Sequence, residues 1–117
     1  MASSPAQRSL AYLREQGYTA QVVERFNPYA KVRVDLFGFL DLVCIKSGVT
    51  GVLGVQTTST PHLSEREKKI LAIPEAVIWL SGSNRILVHG WSKKGKAGKR
   101  KLWQLTEREI TLEDFKS

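Results

Sequence analysis

A chain of 117 residues with 42% hydrophobic content is long enough for one core and too short for two ordinary domains, so a single domain over 1–117 is expected. Eighteen Lys and Arg against 11 Asp and Glu leave a net charge of +7, which favours a polyanionic partner over a small neutral one. The lone cysteine, Cys44, excludes a disulfide framework and a thiolate metal centre. No run approaches the roughly 18 apolar residues of a membrane span, so a cytoplasmic protein with no membrane partner is expected.

Ser4-Pro5 reads as a helix cap followed by proline in the first turn. Ala6, Leu10 and Leu13 then recur at helical spacing up to a stop at Gly17. Residues 20–26 alternate as a strand and Asn27-Pro28 marks a turn, while 29–37 carry no clear pattern. Residues 39–45 and 52–57 are rich in β-branched and aromatic side chains, and the glycines of 47–51 suit a hairpin between them. Thr60-Pro61 and the capping-box pattern Ser64 to Glu67 predict a second helix over 64–73, ended by Pro74. The apolar run 76–80 has no polar alternation and reads as a buried central strand, parallel to an earlier one after the helical crossover. Residues 85–91 and 102–105 flank a Lys/Gly-rich loop as a final hairpin, and Thr111 caps a short terminal helix. The expected fold is α/β, helices packed on a mixed sheet, in the order αβββαβββ.

Chemistry concentrates on the first hairpin. Alternation puts Asp41, Val43 and Ile45 on one face, and Val52, Gly54, Gln56 and Thr58 on one face of the next strand. Asp41 opens its strand near the place where Gln56 and Thr58 close theirs, so the two ends should be neighbours. An unpaired carboxylate inside apolar strands is expensive, and the pattern asks for a purpose. Asp35 either adds a second carboxylate or pairs with Arg33 at a bend, and Glu24 points either at the site or into water. Arg66, Ile70 and Ile73 share a stripe of the second helix, which puts Arg66 at the site end of its core-facing side, with Lys69 as second choice. Both cations could equally just solvate the helix. His62 and His89 lack the spacing of a metal pair, and no Ser-His-Asp set stands out.

Asp41 followed by Gln56-Thr57-Thr58 on a hairpin, between a helix and a crossover helix, resembles the PD-(D/E)XK nuclease superfamily over roughly residues 5–80. The nearest likeness is to archaeal-type Holliday-junction resolvases and to small uncharacterised phage or prophage proteins. The resemblance implies a restriction-endonuclease-like core and a divalent-metal-dependent nuclease hydrolysing DNA phosphodiester bonds with Mg²⁺ or Mn²⁺. Asp41 matches the metal-binding aspartate, Gln56 stands where the family usually has Glu, and Thr58 where it usually has Lys. Asp41, Gln56 and the backbone carbonyl of Thr57 are then the implied ligands, with Asp35 a further candidate. Gln7 or Glu15 would stand near the acidic residue that some members carry on the first helix. Replacing Glu by Gln56 removes a ligand charge and should weaken a hard cation's binding. Losing the lysine leaves its electrostatic role to Arg66 or Lys69.

The loop 92–101 carries Lys93, Lys94, Lys96, Lys99, Arg100 and Lys101, so almost all of the net charge is local. Such a loop can follow a phosphate backbone without reading sequence. Trp91 and Trp103 flank it, either as cross-strand packing partners or as platforms for unpaired bases. Two other readings stay open: a catalytically silent nuclease fold that only binds nucleic acid, and a phage-type protein-interaction module. Enzymes of this kind often act as homodimers.

Overall fold

The computed structural model describes residues 4–95 and 101–116. The elements are helix α1 Pro5–Glu15, strands β1 Thr19–Val22, β2 Arg25–Asn27, β3 Val32–Val34, β4 Leu42–Ile45 and β5 Leu53–Ser59, helices α2 Leu63–Leu71 and α3 Pro74–Ser81, then strands β6 Arg85–Lys94 and β7 Leu102–Ile110. Single 3₁₀ turns at Thr60–His62 and Leu112–Phe115 precede α2 and follow β7. The fold is α/β with a mixed five-stranded sheet in the order β1-β4-β5-β6-β7, and among the described residues β2 and β3 pair only with each other.

Ser4 caps α1 by accepting from the Gln7 N–H at 3.2 Å, as the Ser-Pro start requires. Leu10 and Leu13 of α1 bury against Leu42, Cys44, Leu53, Val55 and Leu87 on one face of the sheet. On the other face Leu63 and Ile70 of α2 and Ala76 of α3 pack on Leu40, Ile86 and Val88. Burial pushes the Cys44 thiol up to about 11, so it is an inert core group.

The order is αβββββααββ rather than αβββαβββ. The run 76–80 is not a buried central strand but most of α3, and Ile78 on it is 71% exposed. Pro74 sits at the first helical position and Glu75 follows it in the first turn, so the proline that ends α2 also starts α3. The strand reached by the crossover is β6, parallel to β5 from Leu53↔Arg85 to Ser59↔Trp91. The strand expected over 20–26 breaks at Val23-Glu24 into β1 and β2, and the unpatterned stretch supplies β3, which pairs Phe26 with Arg33 and Asn27 with Val32. The second helix starts at Leu63, so Ser64 lies inside it and caps nothing, and Glu67 instead pairs with Arg108.

Two glycines seat the helices. A Cβ on Gly90 would meet the Leu63 side chain at 2.7–2.9 Å, and one on Gly54 would meet Leu40 at 2.3 Å and Trp79 at 3.1 Å. Their bareness lets α3 lie close to β5 where that strand begins, and lets α2 lie close to β6 at the edge of the sheet where β5 ends.

Candidate functional site

Asp41 stands at that edge. Its N–H donates to the Val55 carbonyl at 2.9 Å and its carbonyl accepts from Val23 at 2.8 Å, so its backbone is clamped from both sides. The register Leu42↔Val55 puts Asp41 beside Gln56. Between β3 and β4 the chain reverses through Phe37 and Gly38, both at positive φ, and the bridge Leu36↔Leu40 brings Asp35 opposite Asp41. Glycine suits such a backbone, while Phe37 adopts it under strain.

The result is a polar cluster at one end of the sheet. Asp41 is 4% exposed, and its Oδ2 accepts from Gln56 Nε2 at 2.8 Å, the Thr57 N–H at 2.7 Å and Thr57 Oγ1 at 3.0 Å. Gln56 Nε2 lies 3.4 Å from Asp35 Oδ2, which also accepts from Lys69 Nζ at 3.4 Å. Carboxylate oxygens of Glu24, Asp35 and Asp41 all lie within 4.8 Å of one another. Burial, reinforced by the adjacent Asp35, pushes the Asp41 carboxyl up to about 7 despite the Thr57 N–H pulling the other way.

Gln56 is 2% exposed, and its Oε1 is buried with no hydrogen-bond partner among the described residues. Its amide nitrogen serves the carboxylates while its oxygen goes unused. Turning the amide about its last bond would aim that oxygen at a cation between the carboxylates, which fits three oxygen donors waiting on a fourth. The cluster therefore suits a hard divalent ion.

The cluster floors a cleft of about 740 Å³ walled by Ser4 to Gln7 at the start of α1, by Arg33, by Thr58 and Ser59, and by Arg66 and Lys69 of α2. Arg66 is half-buried there and makes no ion pair among the described residues. Thr57 turns its N–H and hydroxyl to Asp41, and Thr58 is buried in the cleft wall. Asp35 faces the cluster and Lys69, whereas Arg33 pairs with Glu24 at 3.5 Å, so the pairing of Asp35 with Arg33 is not made. Gln7 lines the cleft, while Glu15 is exposed at the opposite end of α1. Glu24, whose direction the sequence left open, turns inward, because β1 breaks just before it and sets it beside Asp41.

Because β5 and β6 are parallel, both end at the cleft's edge, and the exposed Lys93 and Lys94 extend past it. Lys101 directly precedes β7; Lys96, Lys99 and Arg100 lie outside the described residues. Trp91 and Trp103 are not directly opposite, since Trp91 faces Leu105 and Trp103 faces Lys93. Trp91 is buried, with Nε1 donating to Ser9 Oγ at 2.9 Å, so it offers no ring to a base. Trp103 lies under the Arg8 guanidinium, 3.4 Å from the ring centre.

One constellation escaped the sequence: Ser9 Oγ donates to His89 Nδ1 at 2.8 Å, and His89 Nε2 donates to Glu107 at 2.9 Å. The Glu107 carboxylate can only accept, so Nε2 carries the ring proton, and the neutral ring accepts at Nδ1 from the Ser9 hydroxyl, whose oxygen accepts from Trp91. Burial lowers the His89 pKa against the pull of Glu107. Ser9 and His89 are both wholly buried, so this set ties α1 to β6 and β7 and cannot reach a substrate.

No family model, curated protein or solved structure matches the chain.

Proposed function

We propose that the protein is a divalent-metal-dependent nuclease with a restriction-endonuclease-like core, acting on DNA phosphodiester bonds. The observation that carries this reading is the unpartnered Gln56 Oε1 beside three converging carboxylates. Asp41, Asp35 and Glu24, with Gln56 after its amide turns, would hold Mg²⁺ or Mn²⁺. The bound cation would supply Lewis-acid polarisation of a phosphoryl oxygen and a more acidic water.

The chain's own groups divide the remaining work. Arg66 offers its guanidinium to a phosphate in the cleft, in the role for which the family motif uses lysine at the position of Thr58. Lys69 holds Asp35 in place. Lys93, Lys94 and the basic residues that follow them in sequence grip the flanking backbone without reading bases.

Mn²⁺ titration and incubation of labelled DNA with Mg²⁺ or Mn²⁺ test the reading together. Wild type should bind the ion and release product, and Asp41→Asn should lose about tenfold or more in Mn²⁺ affinity and release none. Identical product from both proteins would mean contamination and end the nuclease proposal.

A second reading is favoured by Thr58, whose hydroxyl cannot supply the missing positive charge: a nuclease fold that holds nucleic acid without turnover. Salt-sensitive DNA binding with no cleavage under any metal would select it.

A further inference from the structure

The ribbon of β2 and β3 belongs to neither face of the core. It joins no strand of the main sheet and exposes Phe26, Val32 and Val34, with Tyr29 at its turn 97% exposed. Two-stranded ribbons are marginal on their own, and aromatic side chains left in water do nothing to stabilise one. The tip is nonetheless ordered: Asn27 Oδ1 accepts the N–H groups of Tyr29 at 2.9 Å and Ala30 at 3.2 Å, and Lys31 takes up φ 55° to close the turn.

Both feet of the ribbon stand in the carboxylate cluster, since Glu24 precedes β2 and Asp35 follows β3. Alternation then puts Phe26 on the same side as Glu24, and Arg33 on the same side as Asp35. Phe26 and Arg33 are cross-strand partners, and Arg33 already lines the cleft. The face of the ribbon continuous with the site is therefore an aromatic ring beside a guanidinium, and its tip presents a phenol ring next to Lys31.

We infer that the β2–β3 ribbon is an arm that binds unpaired nucleotides of the substrate, with Tyr29 and Phe26 as stacking platforms and Arg33 and Lys31 against the backbone. Cations alone would serve any polyanion. Against a nucleic acid, exposed rings stack only where a base shows its flat face, and in a uniform duplex the neighbouring pairs cover those faces. The arm thus selects single-stranded, frayed or unpaired regions and delivers the adjoining phosphate to the cleft at its base. This inference rests on the nucleic-acid reading above and adds the substrate form to it.

Fluorescence anisotropy with a labelled oligo-dT strand and a blunt duplex of equal length, in EDTA so that no hydrolysis intervenes, tests the arm. Tyr29→Ala and Phe26→Ala should each weaken strand binding by about fivefold or more and leave duplex binding within about twofold. Tyr29→Phe should retain strand affinity, because the ring and not the hydroxyl does the stacking. Mn²⁺ affinity should be unchanged in all three, since neither ring belongs to the carboxylate cluster. Equal strand affinity for wild type and Tyr29→Ala overturns the arm and leaves the nuclease proposal to its own Asp41→Asn test; so does equal weakening on strand and duplex. Failure of wild type to bind either probe, in EDTA and again with Ca²⁺ in its place, overturns both proposals.

Discussion

At the scale of single residues, Asp41 carries an energetic cost that can be read from outside. Its carboxyl is raised from 3.8 to about 7, so between those values the folded chain keeps a proton that the unfolded chain has released. The metal-free protein should therefore lose stability as pH rises through that window, by at most about 1.4 kcal/mol per pH unit. Asp41→Asn keeps an acceptor oxygen for Thr57 and has no proton to lose. Urea unfolding across the window should show the variant's curve flatter than the wild type's and the variant more stable at neutral pH; parallel curves would refute the assignment. The sequence alone singles out Asp41 and Gln56, because a lone carboxylate and an amide closing apolar strands have few bland explanations. It could not show which way Glu24 turns, since that depends on where β1 breaks. Nor could it show that Ser9, His89 and Glu107 meet, because two of the three come together only through the packing of α1 on β6.

Among the elements, the seat of α2 decides where Arg66 and Lys69 stand, and Gly90 sets that seat. Leu63 is buried and branched, so a methyl at position 90 finds no give in it. Gly90→Ala should destabilise the protein by about 1–3 kcal/mol, measured as a lower Tm or urea midpoint, from overpacking alone. An unchanged midpoint would mean that α2 can lift without penalty. Most elements were legible in the sequence: the Ser-Pro start of α1, the β4–β5 hairpin, α2 and the β6–β7 hairpin each follow their local pattern. The failure at α3 is instructive. Ala76 to Leu80 is apolar because α3 has a buried side at Ala76, a half-buried one at Trp79 and Leu80, and an exposed side at Val77 and Ile78. Continuous apolarity in five residues does not distinguish that from a strand, and Pro74, read as the stop of the second helix, marked the start of the third.

For the whole molecule, the parallel pairing of β5 and β6 is the organising fact. It sends the end of one strand into the carboxylate cluster and the end of the next into the basic hairpin at the same edge. Charge and candidate chemistry thus meet at one edge of one sheet. If Lys93 and Lys94 at the end of β6 touch phosphates, DNA affinity should fall steeply with salt, and Lys93→Ala combined with Lys94→Ala should reduce the slope of log K against log [salt] by about 0.9 for each phosphate no longer neutralised. A slope unchanged by the double variant would mean that the protein grips phosphates elsewhere.

Among the described residues, strand β7 leaves one long side of the sheet without a neighbour, as the last member of the strand order. A nine-residue free margin is a template on which another polypeptide can add laterally, the usual route from a native sheet to a fibril. Its second half is guarded by Glu107, Arg108 and Glu109, each held by a partner, respectively His89, Glu67 and Arg85. The first half, Leu102 to Leu105, has no such guard of its own and borrows repulsion from Lys93, Lys94 and Lys101. The lysines that suit the hairpin to a polyanion also keep copies of the chain from stacking margin to margin, and a polyanion that neutralises them strips that protection away.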